Sequence, residues 1–469
     1  MKRFLSILLA LTLFSVTASA QTVKLSPDNP QVLTLWHYYN GMQQQTFDQL
    51  VLEFNETVGM EKGIIIEPMS QGGVNDLTDK LMDAANRKTG ADNMPDIFAA
   101  YADTAHAVNK MGLVADISAY MTEEEQAEYM DSYMAEGRLD AQGGLKVFPI
   151  AKSTEMTLIN KTEWDAFVAD TGADINKLAT WEGVVEISKA YYEWSGGKAF
   201  FGRDAFANYI LIGSLQLGVE MFQVENDVMT LNIDDQVMRR LWDNYVVPYV
   251  NGWFGAYGRF RSDDVKTGQL VALVGSTSGA LYFPKEVTRD DGSTYAIESL
   301  ALPLPNFEGT SPCAVQQGAG MVVTKSTPEK EYAATVFLKW FTEMENNIAF
   351  SLSSGYLPVK KAANDPEVLH EIAIERGVTG LLHDIIHTGA QITSTYRLYT
   401  NNAFDNGYEA RQVVDTSMVE AAEHAKVELA LLVEAGMARE EAIERLTGDE
   451  AFEAWLAKFK ADMEQVLNN

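Results

Sequence analysis

Two periods alternate along the early part of the chain. The run "VLTLWHYY" reads as a strand, and after it Phe47, Leu50, Val51 and Phe54 recur at the spacing of one helix face. "GIIIEPMSQGG" is a β-branched strand ended by glycines. "VNDLTDKLMDAANRKTG" sets Leu77, Leu81 and Ala84 or Ala85 on a second helix face. "MPDIFAAY" reads as a short strand and "TAHAVNKMG" as a short helix. Strand, helix, strand, helix, strand is the order of an α/β unit with a mostly parallel sheet. In such sheets ligands gather where strand ends face helix starts.

From about Leu145 to Arg289 helical patterns dominate. "TLINKTEWDAF" is a strand running into a helix. "TWEGVVEISKAYYEWSGG" is amphipathic, with Thr180 as its cap and Gly196-Gly197 as its stop. "NYILIGSLQLGVEMF" and "DDQVMRRLWDNYVVPYV" read as helices, and "QLVALVGSTSGALYF" returns to strand. "YAIESLALPLP" and "AGMVVTKST" are short strands, "EYAATVFLKWFTEM" is a helix, and from Thr416 onward the chain is nearly all helical. This α/β character at both ends of a helix-rich middle predicts two lobes, with the chain crossing between them more than once. A cleft between lobes is the usual home of a small ligand.

With 469 residues the chain exceeds one ordinary core. Its formal net charge of -30 argues against nucleic acid as a partner, which needs a basic stripe. Lys2 and Arg3, an apolar stretch from Phe4 to Phe14, and Ala18-Ser19-Ala20 have the three-part layout of a secretory signal, residues 1–20. The expected product is a soluble periplasmic or extracellular protein starting at Gln21. No cysteine follows the cleavage point to carry a lipid anchor, and Cys313 alone excludes an intrachain disulfide.

No motif commits the chain to catalysis. His383 and His387 stand four apart in "LLHDIIHTG", a spacing that can hold zinc, but no acidic or Cys partner completes a recognised pattern. "HEIAIE" at His370 shares only the first two letters of a zinc-protease motif. No metal and no cofactor is expected. "LVGSTSG" centres on Thr277 where a nucleophile elbow needs serine. Its hydroxyls and backbone N–H groups, at Ser276, Thr277 and Ser278, suit a polar ligand better. Trp36, Tyr38, Tyr39, Trp253, Phe254, Tyr257, Tyr282, Tyr356, Tyr396 and Tyr399 lie in Gly-, Ser- and Asn-rich segments, where ring faces can meet the C–H faces of sugars or polyols. Arg397 is either a partner for phosphate or carboxylate or a solvent-facing charge.

Several stretches resemble one family in order and spacing: "LTLWHYYNG", "MPDIFAAY", "STEMTLINKTEWDAF", "TWEGVVEISKA", "GQLVALVGSTSGAL", "QQGAGMVVTKSTPEKEYAATVFLKWFT" and "SSGYLPVKKAA". Together they resemble the family-1 extracellular solute-binding proteins of bacterial ABC importers, above all the glycerol-3-phosphate-binding members. The resemblance implies an α/β, two-lobed periplasmic-binding-protein fold of type II with a hinge between the lobes. The expected division is 21–145 plus about 290–345 for one lobe, and about 146–289 plus 346–469 for the other. It implies a monomer that delivers a saccharide or phosphorylated polyol to a membrane permease. The ligand contacts it implies are Trp36, His37, Tyr38, Tyr39 and Asn40, the neighbourhood of Val74, Asp103, Ser153 or Thr154, Ser276 to Ser278, Gly318, Tyr356 and Arg397, with Trp253 added for its aromatic surroundings. Those members carry Tyr near Val74 and Glu near Ala102, a carboxylate that Asp103 could replace, so glycerol-3-phosphate itself is in question. An oligosaccharide or a glycerophosphodiester fits the pattern too; the aromatics around Trp253 to Tyr257 favour a sugar-like ligand, and Arg397 keeps a phosphorylated polyol in play. The rival expectations are an exported hydrolase of glycans or phosphodiesters, and a structural or adhesion module.

Overall fold

The computed structural model describes residues 23–139, 143–225, 228–289 and 291–468. The expected secretion signal, 1–20, lies outside the described residues. Two four-stranded sheets organise the chain. In the first, Gln31–His37 pairs in parallel with Ile64–Ser70 and with Ile97–Ala100, and Gly320–Val323 closes the edge antiparallel. In the second, Glu155–Asn160 runs antiparallel to both Ser299–Pro303 and Ala272–Ser276, and Phe201–Arg203 lies parallel to Ala272–Ser276.

Helices follow the strands where the pattern places them. α1 is Gly41–Phe54, and its buried residues are Phe47, Leu50, Val51 and Phe54. α2 is Val74–Ala85, burying Leu77, Leu81 and Ala84, and α3 is Ala102–Lys110. α4, Phe206–Gln216, is buried along its whole length, as a helix apolar on all sides must be. α5 is Pro366–Glu375, α6 is Leu381–Thr395, and α7 is the long Gly407–Glu434. Thr180 caps its helix as expected, its hydroxyl accepting from the Gly183 N–H at 3.1 Å. Among the described residues, no helix is long and apolar enough to cross a membrane.

Each sheet has its own apolar core. One gathers residues from Leu33 to Ala151 and from Ala319 to Val359; the other runs from Met156 to Val315 and resumes through the C-terminal helices. Two boundaries differ from the sequence expectation. Ser299–Pro303 joins the second sheet, while the expected division puts about 290–345 with the first lobe. Phe350, Tyr356 and Val359 pack in the first core, not with 346–469 as a block. A short apolar run shows that it is a strand, but its choice of neighbour depends on distant residues.

The chain passes between the sheets in three extended stretches that bond to one another. Lys152 and Leu357 exchange backbone hydrogen bonds, as do Ser153 and Gln317, and the Thr154 hydroxyl donates to the Val315 carbonyl at 2.8 Å. Gly318 closes this bundle at φ +96°. A Cβ there would sit 2.7 Å from the Ala151 carbonyl oxygen, so only glycine fits.

A buried ion pair lies in the second half. Both oxygens of Glu155 accept from Arg203 Nη2 at 2.9 Å, and Asn208 Nδ2 donates to one of them at 2.9 Å. Both charged side chains are 1% exposed. Removing one partner strands the other charge in the interior. Arg203→Met is therefore expected to lower the unfolding free energy by about 3–5 kcal/mol, measured by urea titration at neutral pH.

Candidate functional site

Four helix N-termini converge between the two sheets. Val74 opens α2, Ala102 opens α3, Phe206 opens α4 and Gly407 opens α7. Residues at these starts line a cavity of about 270 Å³, among them Val74, Tyr101, Asp103, Asn208, Tyr408 and Arg411. First-turn N–H groups lack partners within their own helix and favour oxygen ligands. Ala205 and Asn406, just before α4 and α7, take left-handed φ values of +47° and +60°. Asp415 on α7 accepts from the Ala207 N–H at 2.7 Å, tying the two helix starts together.

The cavity's polar atoms are incompletely paired. Asp103 Oδ1, Arg411 Nη1, Gln316 Oε1 and Gln317 Oε1 are buried without a hydrogen-bond partner. Burial raises the Asp103 carboxyl above the ordinary aspartate value, against the opposing pull of the Arg411 guanidinium. Glu136, also on the wall, accepts from the Lys152 ammonium and from the Gln316 amide. Lys152 donates in addition to the Gly318 carbonyl at 2.8 Å. A solute bearing several hydroxyls can supply the missing partners, since each hydroxyl both donates and accepts.

A second cavity, of about 590 Å³, includes Asn40, Asp204, Arg259, Ser276 and Tyr282 in its lining. The two cavities meet the chain side by side at Asp204 and Ala205.

The expected contact residues separate into groups. Val74 and Asp103 line the first cavity, and Asn40 and Ser276 the second. Ser276 and Ser278 share a hydroxyl hydrogen bond at 3.0 Å. Tyr38 and Tyr356 meet through their hydroxyls at 3.2 Å, and Tyr38 also accepts from the Ala319 N–H at 3.3 Å. Ser153, Thr154 and Gly318 belong to the crossover bundle, and Thr277 is buried beside it, its N–H donating to the Thr154 carbonyl. Trp36, His37 and Tyr39 are core residues; the Tyr39 ring packs on His37 and Phe47. Trp253 packs at the edge of the second core, with the Lys189 ammonium over its ring.

Arg397 lines neither cavity. Its side chain is 66% exposed, 3.9 Å from Glu220, in a separate hollow beside the Phe222–Glu225 strand. The cation in the first cavity is Arg411, which sequence reading missed because it lies inside a long amphipathic helix. Gln316 and Gln317 also line this cavity, and their position directly before the "GAG" step is the sequence signal that points to them.

Two sheets, each with its own apolar core, and a polar cavity lined by residues from both fit a periplasmic-binding-protein-like fold. The structure is similar to the cyclic alpha-maltosyl-1,6-maltose binding protein from Arthrobacter globiformis, with TM-score 0.66, 16% identity, and 91% of this chain and 99% of that one covered. It is similar to UgpB from Mycobacterium tuberculosis in complex with glycerophosphocholine, with TM-score 0.66, 15% identity, and coverage of 92% and 99%. It is similar also to the ABC substrate-binding protein Lmo0181 from Listeria monocytogenes in complex with cycloalternan, with TM-score 0.66, 13% identity, and coverage of 92% and 100%. At these identities the likeness is one of fold. No curated protein sequence matches the chain significantly. The family model for bacterial extracellular solute-binding proteins matches residues 49–374, and the chain belongs to that family.

His37 provides a test of the core at the end of the first strand. It is 1% exposed, its Nδ1 accepts from the Tyr39 N–H at 3.2 Å, and burial lowers its pKa to about 4. Between about pH 6.5 and 4 the unfolded chain binds a proton that the folded chain does not, so His37 makes stability fall as pH drops through that window. In His37→Leu, the loss of unfolding free energy from pH 6.5 to 4.5 should be about 2–3 kcal/mol smaller than in the parent protein, read by urea unfolding at both pH values.

Proposed function

We propose that this protein is the solute-capture component of an ABC importer, taking a hydroxyl-rich saccharide or polyol into the cavity between its halves and handing it to a membrane permease. The observation that carries this reading is the set of four buried, unpartnered polar atoms on Asp103, Arg411, Gln316 and Gln317 around one cavity. Family membership agrees with it. The crossover bundle is the hinge. An open form admits the solute, and the closed form is stabilised because only there do both halves satisfy its hydroxyls. No bond in the solute is broken.

The cavity favours a neutral, hydroxyl-bearing group over a phosphate. Asp103, Glu136 and Asp415 are carboxylates on its wall, against the single guanidinium of Arg411. Glycerol-3-phosphate is therefore the weaker candidate, and Arg397, exposed in another hollow, gives it no anchor. A saccharide longer than one ring extends toward Ser276 and Tyr282 in the second cavity.

Mass spectrometry of small molecules released from freshly purified protein identifies the solute, and calorimetry with that compound measures its affinity. Arg411→Ala should weaken binding about 10- to 100-fold, the cost of losing a charge-assisted buried hydrogen bond, whereas Arg397→Ala should leave it unchanged. Small-angle scattering should show a more compact particle on saturation. Turnover of a glycan or phosphodiester panel, or a shape indifferent to every bound solute, would overturn the reading.

A further inference from the structure

Crossover residues and one short helix together fix how the cavity wall presents its polar atoms. Gln316 is 4% exposed, and its Nε2 donates to the Ser132 carbonyl at 3.2 Å and to a carboxylate oxygen of Glu136. Both acceptors belong to the short helix Asp131–Glu136. The same Glu136 oxygen accepts from the Lys152 ammonium, which also donates to the Gly318 carbonyl at 2.8 Å. The Lys152 side chain is 1% exposed and that of Glu136 is 9% exposed. A carbonyl or a carboxylate only accepts, and an ammonium only donates. The Gln316 amide therefore has one orientation. Its NH2 group faces the helix, and Oε1, buried without a partner, is the atom that Gln316 offers a solute.

We infer that Lys152 and Glu136 are positioning residues which, through the Gln316 amide, make hydrogen-bond donation by the solute a condition of binding. The preferred solute is a saccharide with a free hydroxyl at this point, and one carrying an ether, ester or phosphoester oxygen there is refused. This rests on the saccharide capture proposed above and names which of the solute's groups the site reads. An unrestrained glutamine side chain reads nothing, since by turning over it meets a donor or an acceptor equally well. Here turning over would set Oε1 against the Ser132 carbonyl and the Glu136 carboxylate, oxygen against oxygen. A solute group that only accepts leaves Oε1 desolvated and unpaired, which costs affinity. Arg411 sets the opposite condition, because a guanidinium only donates and its unpartnered Nη1 takes an acceptor. Hydroxyl groups meet both conditions, whereas a phosphate oxygen meets only the second. Lys152 also balances the Glu136 charge, so the orientation is fixed without adding net charge to the wall.

Two arms test this. The first needs no solute and uses the proton–nitrogen correlation spectrum of the isotope-labelled protein. The Gln316 side-chain NH2 pair, assigned by its loss in Gln316→Leu, should give well-separated resonances protected from exchange with water. In Lys152→Met/Glu136→Leu the pair should move to the position of a free, rapidly exchanging amide. That double replacement removes both buried charges together and strands neither. The second arm is calorimetry with maltose, cellobiose, trehalose and lactose, and with their monofluorodeoxy forms, in which fluorine replaces one hydroxyl and cannot donate. For the tightest-binding disaccharide, fluorination at one position should weaken binding about 10- to 100-fold in the parent protein, and less than about threefold in Gln316→Leu, where no oxygen is left unpaired. Circular dichroism checks that each variant folds, and Gln316→Met replaces Gln316→Leu should the latter not. A freely exchanging Gln316 amide in the parent protein would overturn the positioning role. Fluorodeoxy forms that all bind like the unmodified sugar, or a penalty that persists in Gln316→Leu, would overturn the donor requirement. Binding by none of the four disaccharides would overturn the saccharide reading beneath it, while the first arm still decides the positioning role.

Discussion

Backbone hydrogen bonding between the three crossover stretches is the constraint on which the architecture rests. Lys152 is bonded to Leu357 and Ser153 to Gln317, so segments far apart in sequence are held in register at one place. Side chains on the same stretches face the cavity or support its wall. Gln316 turns its amide nitrogen to Glu136 and leaves its oxygen free, and Lys152 reaches from the bundle to the same Glu136. In the proposed mechanism a solute that engages Gln316 and Gln317 therefore touches the element about which the halves would rotate. Gly318 makes this crowding possible, since no other residue fits beside Ala151.

The cavity's electrostatics follow from where helices start. Four first turns offer N–H groups, while the carboxyl groups of Asp103, Glu136 and Asp415 and the guanidinium of Arg411 stand on the same wall. Burial holds Asp103 toward its neutral form, against the pull of Arg411. Such a site offers both donors and acceptors, which matches hydroxyl groups better than a concentrated anion. The overall charge of -30 contributes to solubility and has little bearing on the site, where a few buried groups act at short range.

The elements were legible because their periods are strong. The α1 face of Phe47, Leu50, Val51 and Phe54, the Thr180 cap and the strand Gly320–Val323 all stand where the pattern put them. Strand partnership was not legible: nothing in "YAIESLALPLP" tells that it pairs with Glu155–Asn160. The site was legible in part, through Val74, Asp103, Asn40 and Ser276, which follow strand ends or begin helices. Local sequence misled where rings clustered. Trp36, His37 and Tyr39 stand at a strand end beside a turn, yet all three are buried, His37 and Tyr39 against the Phe47 ring. The polar surroundings of Arg397 suggest a ligand contact, but Arg411 lines the cavity because α7 begins there. His370 could not be joined to His383 from spacing alone, since a helical hairpin brings them together.

Closing the first sheet with Gly320–Val323 has a consequence for how the molecule is made. The partner of that strand, Ile97–Ala100, leaves the ribosome long before it, and the whole second sheet is synthesised in between. Until the late strand arrives, Ile97–Ala100 has an open edge and the first core lacks Met321, Val322 and Val323. Pairings of such long sequence separation form slowly. A newborn chain of this design keeps its first core incomplete until about two thirds of its length has been made.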